Sequence, residues 1–295
     1  MKGVRFGQFV VGSPGAGKSS YCKAVQAFLA TCGRPCVVVN LDPGNVCVPY
    51  VCAVDVCELV RSDEAAQRQH ALGPNGALLL AMETVAASVH SWLLPRLAAQ
   101  APDAGTYVLF DCPGQIELFT HHAALKTLLE ALQGPAGNMR LCCVALVEAH
   151  HLADASKYVS LALVVLTTML QLELPHVSVL SKADLLEQFG PLPLGLDYYA
   201  EARDLRHALE LDKKTLPPKY VELNEALAEL IEDFCLVQFT ALNVADVQNL
   251  AAVIRLADKA CGYVYRSDEM NDLIAKAQAD LDLAEMHELY KRKDK

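Results

Sequence analysis

The sequence predicts a three-layer α/β fold, in which a mostly parallel sheet carries helices on both faces and has helical insertions. Short, continuous apolar runs alternate with longer segments of helical character, which is typical of parallel strands buried on both sides. The 295 residues are 53% hydrophobic and 20% charged, so the chain can bury a sizeable core. No stretch of the chain is a convincing linker, which favours one large domain over two small ones.

Six apolar runs are predicted to be strands, and the segments between or after them are predicted to be helices. The strands are expected at residues 6–11, 36–40, 107–110, 141–147, 176–180 and 236–240. The helices are expected at residues 20–29, 78–100, 121–132, 155–172, 220–234 and 247–262. This alternating order is typical of βαβ units, whose crossovers make neighbouring strands parallel.

Residues 1–266 are predicted to form the single domain, with a helical insertion at about residues 190–234. The first part of this insertion, residues 190–218, is rich in proline and charge and is expected to be loose. Residues 267–295 are strongly charged and are predicted to form a peripheral helical tail that frays at its end.

The charge of the chain narrows the range of its partners. The net charge is −10, whereas a protein that mainly binds DNA or RNA needs a basic face to neutralise phosphates. We therefore expect no direct nucleic-acid binding, although an acidic chain can bind basic protein surfaces. The most apolar stretch, residues 161–170, is too short to span a membrane, which needs about 20 apolar residues.

The eleven cysteines are interpreted as small buried apolar residues rather than as disulfides or metal ligands. Their spacing contains no pair of C-x-x-C motifs, so a zinc site is not favoured. The first six residues carry charge and run into the first strand, so we expect no secretory signal peptide. We therefore expect a cytoplasmic location with shuttling into the nucleus, since thiols stay reduced in both compartments.

Residues 12–19, Gly-Ser-Pro-Gly-Ala-Gly-Lys-Ser, match G-x-x-x-x-G-K-[ST] between a predicted strand and a predicted helix. Such a loop turns its backbone N–H groups toward a phosphate, and the helix adds its positive N-terminal end. Lys18 can reach the outer phosphates, and the Ser19 hydroxyl can hold Mg²⁺. The predicted nucleotide-binding residues of this P-loop are Gly12, Ser13, Pro14, Gly15, Ala16, Gly17, Lys18, Ser19 and Ser20. The P-loop NTPase fold follows.

Acidic residues end two further strands on the side where open α/β sheets bind ligands. Asp111 begins an Asp-Cys-Pro-Gly sequence and is predicted to hold Mg²⁺, while Gly114 can bring a backbone N–H to the γ-phosphate. Asp42 is predicted to hold the water shell of Mg²⁺ or to orient the attacking water. Gln115 and Glu117 can also orient that water, but a solvated helix start explains them equally well.

The base is predicted to be guanine. Ser181-Lys182-Ala183-Asp184 follows a strand and resembles the N-K-x-D motif, with serine in place of asparagine. A carboxylate at Asp184 can accept hydrogen bonds from guanine N1–H and the 2-amino group, which adenine does not offer as a pair. The stem of Lys182 can lie along the base. After the sixth strand, Thr240, Ala241 and Leu242 are predicted to form the last base-contacting loop.

A Gly-Pro-Asn triplet, Gly73-Pro74-Asn75, is predicted to be a tight turn between two helices. With the P-loop, Asn-Leu-Asp-Pro at 40–43, Asp-Cys-Pro-Gly-Gln at 111–115 and Ser-Lys-Ala-Asp at 181–184 in this order, the chain resembles the GPN-loop GTPases of the SIMIBI class. The resemblance runs from about residue 6 to residue 262. Gly44 departs from the family's usual Asn-Leu-Asp-Pro-Ala-Asn.

The resemblance implies a dimeric, Mg²⁺-dependent enzyme that binds GTP and GDP and hydrolyses GTP. Asn75 of one protomer would reach the phosphates of the other, and Asp42, Asp111, Gln115 and Glu117 would serve Mg²⁺ and the attacking water. Either a homodimer or a heterodimer with another GPN-loop GTPase fits. The family's role implies RNA polymerase II subunits or assembly factors as partners, in assembly and nuclear import.

Three other functions stay open at this stage. The chain could be a GTP-dependent scaffold or chaperone with little hydrolysis, which Gln115 and Glu117 disfavour. It could be a P-loop kinase, but the insertion at residues 190–218 has few of the arginines that a kinase lid needs. Maturation of metal centres is disfavoured because no clear Cys/His cluster occurs.

Overall fold

The computed structural model describes residues 3–45, 47–62, 73–103, 105–190, 192–202, 204–212 and 218–263. Within them, the strands are β1 (Arg5–Gly12), β2 (Cys36–Asn40), β3 (Cys52–Asp55), β4 (Tyr107–Asp111), β5 (Met139–Glu148), β6 (His176–Ser181) and β7 (Phe239–Ala241). These strands form one sheet in the order β3-β2-β4-β1-β5-β6-β7, and every pairing is parallel. The predicted α/β fold with helices around a parallel sheet is confirmed.

The helices lie between the strands, as the βαβ pattern predicts. In the same residues they are α1 (Lys18–Thr31), α2 (Val56–Ser62), α3 (Pro74–Ala87), α4 (Leu94–Gln100), α5 (Ile116–Thr120), α6 (Ala123–Gln133), α7 (Ala155–Leu172), α8 (Leu196–Glu201), α9 (Leu205–Asp212), α10 (Pro218–Phe234) and α11 (Val247–Cys261). Two 3₁₀ helices, Ala149–Ala153 and Ala183–Phe189, follow β5 and β6.

Successive side chains of the central strands point into two different cores. On β1, Phe9 and Val11 pack with residues of α3, α4 and α6, whereas Val10 packs with residues of α1 and α11. A third cluster lies around α7 and joins it to α8, α9 and α10. Because each face of the sheet is covered, the strands read as continuous apolar runs rather than as alternating ones.

Only some of the cysteines are buried in the core. Six of the eleven are buried and none forms a disulfide, while Cys47 and Cys235 are exposed. The interpretation as small apolar core residues therefore holds for the six buried cysteines and is wrong for the two exposed ones.

The structure corrects the predicted elements at three places. Strand β3 was not predicted, because its four residues lie inside a longer, mostly apolar stretch, residues 46–57, in which no alternation marks a strand. The predicted helix at residues 78–100 begins earlier, at Pro74, and is interrupted by a π-helical segment, Val89–Leu93. The last strand covers only Phe239–Ala241, because Leu236 lies outside the sheet and is exposed.

In the residues that the structure describes, the predicted insertion is helical rather than loose. Its described part holds α8, α9 and α10, and Tyr199, Leu205 and Leu209 are buried against α7. Apolar residues spaced along these short helices outweigh the proline and charge of the segment. The domain boundary at residue 266 and the tail at 267–295 lie outside the described residues.

Helix α7 is, by length and composition, apolar enough to cross a membrane. It buries eight residues, Tyr158, Val159, Val165 and Leu166 among them, against the sheet and the neighbouring helices. A core helix of this kind passes the same length and composition test. The predicted apolar stretch at residues 161–170 is the middle of this helix.

His176, the first residue of β6, makes stability depend on pH. Both ring nitrogens are buried without a hydrogen-bond partner among the described residues, although part of the residue is exposed. Burial lowers the pKa of His176 to about 4. The unfolded chain binds a proton near pH 6.5 and the folded chain does not, so stability is lost as pH falls from 6.5 toward 4.

We expect the free energy of unfolding to fall by about 2 kcal/mol between pH 7 and pH 5 through His176 alone. Urea denaturation at both pH values measures it, and His176→Leu should remove that part of the pH dependence. An unchanged pH dependence in the variant would contradict the assignment.

Candidate active site

The phosphate loop joins β1 to α1 in a backbone shape that glycine favours. Gly12, Gly15 and Gly17 have φ of +150°, +85° and +92°, which side-chain-bearing residues rarely adopt. A Cβ on Gly12 would lie 2.2 Å from the carbonyl oxygen of Leu146 on β5. Gly17 caps α1 without a side-chain hydrogen bond, so the first N–H groups of α1 stay available to an anion.

Lys18 is the first residue of α1, and its side chain lies almost entirely inside the protein. The ammonium Nζ donates hydrogen bonds to the carbonyl oxygens of Gly12 at 3.0 Å and Ser13 at 3.1 Å. Burial lowers the pKa of Lys18, while the charges of Asp111 and Asp42 oppose that shift. The two carboxylates favour the charged form of Lys18, and a charged ammonium is suited to hold phosphate oxygens.

Asp111, at the end of β4, receives two hydroxyl groups on one carboxylate oxygen. Ser19 Oγ donates to Asp111 Oδ2 at 2.7 Å, and Tyr50 Oη donates to the same oxygen at 2.8 Å. Asn45 Nδ2 donates to Ser19 Oγ at 3.0 Å. The predicted pair Ser19 and Asp111 is therefore in direct contact, with two further residues from the loop after β2 around it.

The second oxygen of Asp111, Oδ1, is buried and has no hydrogen-bond partner in the described part of the chain. Burial raises the pKa of the Asp111 carboxyl, and the hydrogen bonds from Ser19 and Tyr50 oppose that shift. A buried acceptor without a partner is costly, so this oxygen is suited to bind a cation or a water.

Asp42 lies beside this pair on a loop that polar side chains hold in place. Asn40 Nδ2 donates to Asp55 Oδ1 at 2.9 Å and to the Asn45 carbonyl at 3.2 Å. The Asn40 amide oxygen accepts the Asp42 N–H at 3.1 Å, and Asp42 Oδ1 accepts the Gly44 N–H at 2.9 Å. Gly44, which departs from the family pattern, therefore donates its N–H in a turn that Asp42 caps.

Gly114 brings the segment after β4 against the phosphate loop. A Cβ on Gly114 would lie 2.9 Å from the Pro14 backbone nitrogen and 3.1 Å from Lys18 Nζ. Gln115 caps α5 and borders the same cleft as Lys18. Glu117 is exposed in the first turn of α5 and does not border it. Of the two polar residues, the structure brings only Gln115 to the phosphate cleft.

The base motif follows β6 and adjoins the phosphate loop. Lys182 has a φ of +56° and starts the 3₁₀ helix that carries Asp184. Ser181 is buried, and its hydroxyl donates to the carbonyl oxygen of Val147 at 3.1 Å. The serine that replaces asparagine thus ties β6 to β5.

The last loop is displaced from its predicted position. Thr240 and Ala241 belong to β7 and do not border the base cleft. Leu242 borders it and is tied to the base motif, because the Ala183 N–H donates to its carbonyl at 3.2 Å. The loop residues after Leu242 that border the cleft are Asn243, Val244 and Ala245. The predicted strand ended at residue 240, one residue before the end of β7, so the loop was placed too early.

The Gly-Pro-Asn triplet starts a helix instead of forming a turn between two helices. Gly73 is the N-cap of α3, and Pro74 occupies its first turn, where a missing N–H costs nothing. Asn75 is exposed and does not border the phosphate cleft, whereas Leu78, one turn later, does. Residues 63–72, before the triplet, lie outside the described residues.

Two clefts make up the candidate site and share Gly17 and Ser20. The phosphate cleft has a volume of about 570 Å³ and includes Pro14, Gly15, Lys18, Ser19, Asp42, Asn45, Gly114 and Gln115. The base cleft has a volume of about 410 Å³ and includes Ala16, Tyr21, Ser181, Lys182, Asp184 and Leu242. Their arrangement suits a nucleotide with its phosphates on α1 and its base on the Lys182 loop.

Comparisons with known proteins decide the family. Residues 10–263 match the family model described as "Conserved hypothetical ATP binding protein". GPN-loop GTPase 2 of Danio rerio is 45% identical over 277 residues, which are 94% of this chain and 87% of that protein. The chain belongs to the GPN-loop GTPase family. It is therefore a GTP-binding GTPase, as its base motif predicted.

Other comparisons agree with this family. GPN-loop GTPase 2 of Saccharomyces cerevisiae is 38% identical over 278 residues, covering 93% of this chain and 79% of that protein. A GTPase from Pyrococcus abyssi, solved in its apo form, has a TM-score of 0.66 at 22% identity. That alignment covers 86% of this chain and 97% of the archaeal chain, and it shows a shared fold.

Sequence reasoning missed parts of this GTPase site. Asn40 and Asn45 flank Asp42 in the sequence, so the motif itself could have pointed to them. Tyr50 follows eight residues after Asp42 without any motif, and no local signal links it to Asp111. Only the folding of the loop after β2 back over α1 brings them together.

Proposed function

We propose that this GPN-loop GTPase hydrolyses GTP with Mg²⁺, as a dimer gated by its nucleotide, in the assembly and nuclear import of RNA polymerase complexes. The observation that carries the hydrolytic site is the Asp111 carboxylate, with Ser19 on one oxygen and no partner in the described residues on the other. Water would attack the γ-phosphate in line, while Lys18 and the loop N–H groups stabilise the developing charge.

The residues present fit Mg²⁺. Ser19 Oγ and Asp111 would hold the ion, and Asp42 would contact its water shell; when bound, the ion neutralises phosphate charge. The described residues contain no group of three or more His, Cys, Asp or Glu side chains placed for a metal. Mg²⁺ needs only one or two protein ligands beside phosphates and water, so this absence does not argue against it.

The position of Asn75 supports a dimer, because a single chain leaves this residue exposed. Asn75 lies on the solvent side of the first turn of α3, while Leu78 of the same helix borders the phosphate cleft. An amide approaching from a second copy could donate to a phosphate oxygen without supplying a full charge. A homodimer and a heterodimer with another GPN-loop GTPase both suit this arrangement.

A role in protein assembly is supported by an apolar cleft next to the nucleotide site. Its volume is about 620 Å³, and Gly12 and Ser13 of the phosphate loop border it on one side. Ile116 and Phe119 of α5 and Leu161 of α7 supply apolar surface. Because α5 follows Gly114 directly, a change at the phosphates can alter this cleft, which suits a GTP-controlled protein contact.

The proposed partners are RNA polymerase II subunits or assembly factors, with neither nucleic acid nor membrane bound directly. The net charge of −10 supports a basic protein surface over a phosphate backbone. A cytoplasmic location with shuttling into the nucleus is part of the same proposal.

Asn75→Ala tests the dimer. We expect the single-turnover rate of GTP hydrolysis to fall by about tenfold to a hundredfold, with GTP affinity nearly unchanged, since the amide acts on the transition state. Rapid-quench hydrolysis with saturating enzyme measures the rate, and EDTA in place of Mg²⁺ should abolish hydrolysis in both proteins.

Light scattering of the unmodified protein with GTP, GDP and ATP provides the second measurement. The proposal expects a larger mass with GTP than with GDP, and no response to ATP. An unchanged hydrolysis rate in Asn75→Ala would refute the contribution of Asn75 from a second chain.

A further inference from the structure

Outside the recognised motifs, one acidic side chain connects the phosphate loop, residues 12–19, to residues 182–189, which we call the base loop. We propose that Glu148 is a positioning residue for guanine-nucleotide binding, which acts by holding Lys182 against the phosphate loop. Glu148 is the last residue of β5, and it belongs to none of the motifs that identify the GTPase site.

The side chain of Glu148 is largely enclosed between the two loops. Its exposed fraction is only 17%, although it lies at the end of a strand. A Cβ on Gly15 would lie 3.2 Å from Glu148 Oε1, so this oxygen packs directly against the phosphate loop. The other oxygen, Oε2, contacts the base motif through Lys182.

Oε2 accepts a hydrogen bond from Lys182 Nζ at 3.1 Å. Lys182 stands in the left-handed backbone region, where its position is set by the turn that presents Asp184. A lysine stem has several rotatable bonds, so an unpaired side chain would lose entropy when it lies along a base. The ion pair with Glu148 reduces that loss before the nucleotide arrives.

His150 adds a third group to the same carboxylate. His150 Nδ1 lies 3.2 Å from Glu148 Oε2, and its ring stacks on Phe189 with centroids 5.0 Å apart. Phe189 ends the 3₁₀ helix that begins after Lys182, so one end of the base loop contacts the last residue of β5 and the other end contacts the segment after β5. Glu148 is therefore the common contact of the phosphate loop, the base loop and the segment Ala149–Ala153.

A role in positioning predicts effects on nucleotide binding and not on chemistry. Neither Glu148 oxygen contacts the Ser19 and Asp111 pair, so hydrolysis of bound GTP should proceed as before. GDP and GTP should lose affinity equally, because the base and its loop are common to both. These outcomes differ from those of a residue that acts on the γ-phosphate.

Glu148→Gln in the full chain tests the proposal, with fluorescent GDP as the probe. We expect its Kd to rise about tenfold, the loss of one charged hydrogen bond, with kcat at saturating GTP within about twofold of the unmodified enzyme. Glu187→Gln is the matched control, because this glutamate lies exposed on the same 3₁₀ helix as Asp184 and should leave Kd unchanged.

A double-mutant cycle with Lys182→Met separates positioning from general loss of structure. If Glu148 acts through Lys182, the double variant should bind GDP no more weakly than Lys182→Met alone. Unchanged GDP affinity in Glu148→Gln, a fall in kcat without a change in Kd, or fully additive losses would each overturn the proposal. If Glu148→Gln does not fold, Glu148→Asp, which keeps the charge, takes its place in the cycle.

Discussion

Lys18→Ala is expected to lower the single-turnover rate of GTP hydrolysis by about a thousandfold. The Lys18 ammonium is the buried cation of the phosphate cleft that reaches the loop carbonyls of Gly12 and Ser13. A cation at this position stabilises negative charge that develops on the phosphate oxygens, and low local polarity strengthens the effect. Alanine leaves the loop backbone in place but removes the charge.

Rapid-quench hydrolysis at saturating enzyme measures the rate, with GTP affinity measured separately. Lys23→Ala is the matched control, since Lys23 is an exposed lysine on the same helix, α1. A loss below tenfold in Lys18→Ala would show that the loop N–H groups carry most of the stabilisation. An equal loss in Lys23→Ala would point to helix stability as the cause.

The second large effect concerns folding. Arg34 precedes β2 and makes two hydrogen bonds with Asp258 of α11, Nη1 to Oδ2 at 2.7 Å and Nη2 to Oδ1 at 3.1 Å. The guanidinium lies between the rings of Tyr107 and Tyr263, at 4.3 Å and 4.1 Å from their centroids. Asp258 is fully buried, so removing Arg34 takes the guanidinium charge away from a buried carboxylate.

Arg34→Ala should lower the free energy of unfolding by about 3–5 kcal/mol, the usual result of breaking a buried ion pair. Guanidinium denaturation measures it. Arg96→Ala is the control, because Arg96 lies 3.8 Å from Glu58 in an exposed pair and also covers a ring, Trp92. That change should cost below about 1 kcal/mol.

The double variant Arg34→Met with Asp258→Leu provides a further check. Replacing both charges by apolar side chains of similar size should recover much of the lost stability. If the double variant is as unstable as Arg34→Ala, the packing of the guanidinium between the two tyrosine rings is the larger contribution.

The fold was predictable where the pattern is local and repeated. Apolar runs and the helices between them indicated six of the seven described strands and their parallel arrangement. The prediction failed at β3, because a four-residue strand at the sheet edge has no distinctive pattern. It also placed the last base-contacting loop too early, since the end of β7 depends on pairing with β6.

Chemistry was predictable where a backbone conformation needs particular residues. The positive φ at Gly12, Gly15 and Gly17 requires glycine. The start of α1 places Ser19, and the end of β4 places Asp111. The roles of Asn75 and Glu117 stay predictions, because one chain leaves both side chains exposed and away from the phosphate cleft.

The sequence by itself determined the P-loop, the acids at the strand ends, the guanine motif and through them the GTPase family. Each of these is a short motif whose geometry follows from its own residues. Tertiary structure decided the contacts of Tyr50 with Asp111, of Glu148 with Lys182 and of Arg34 with Asp258. Their partners lie 61, 34 and 224 residues apart, so only the order and register of the sheet could bring them together.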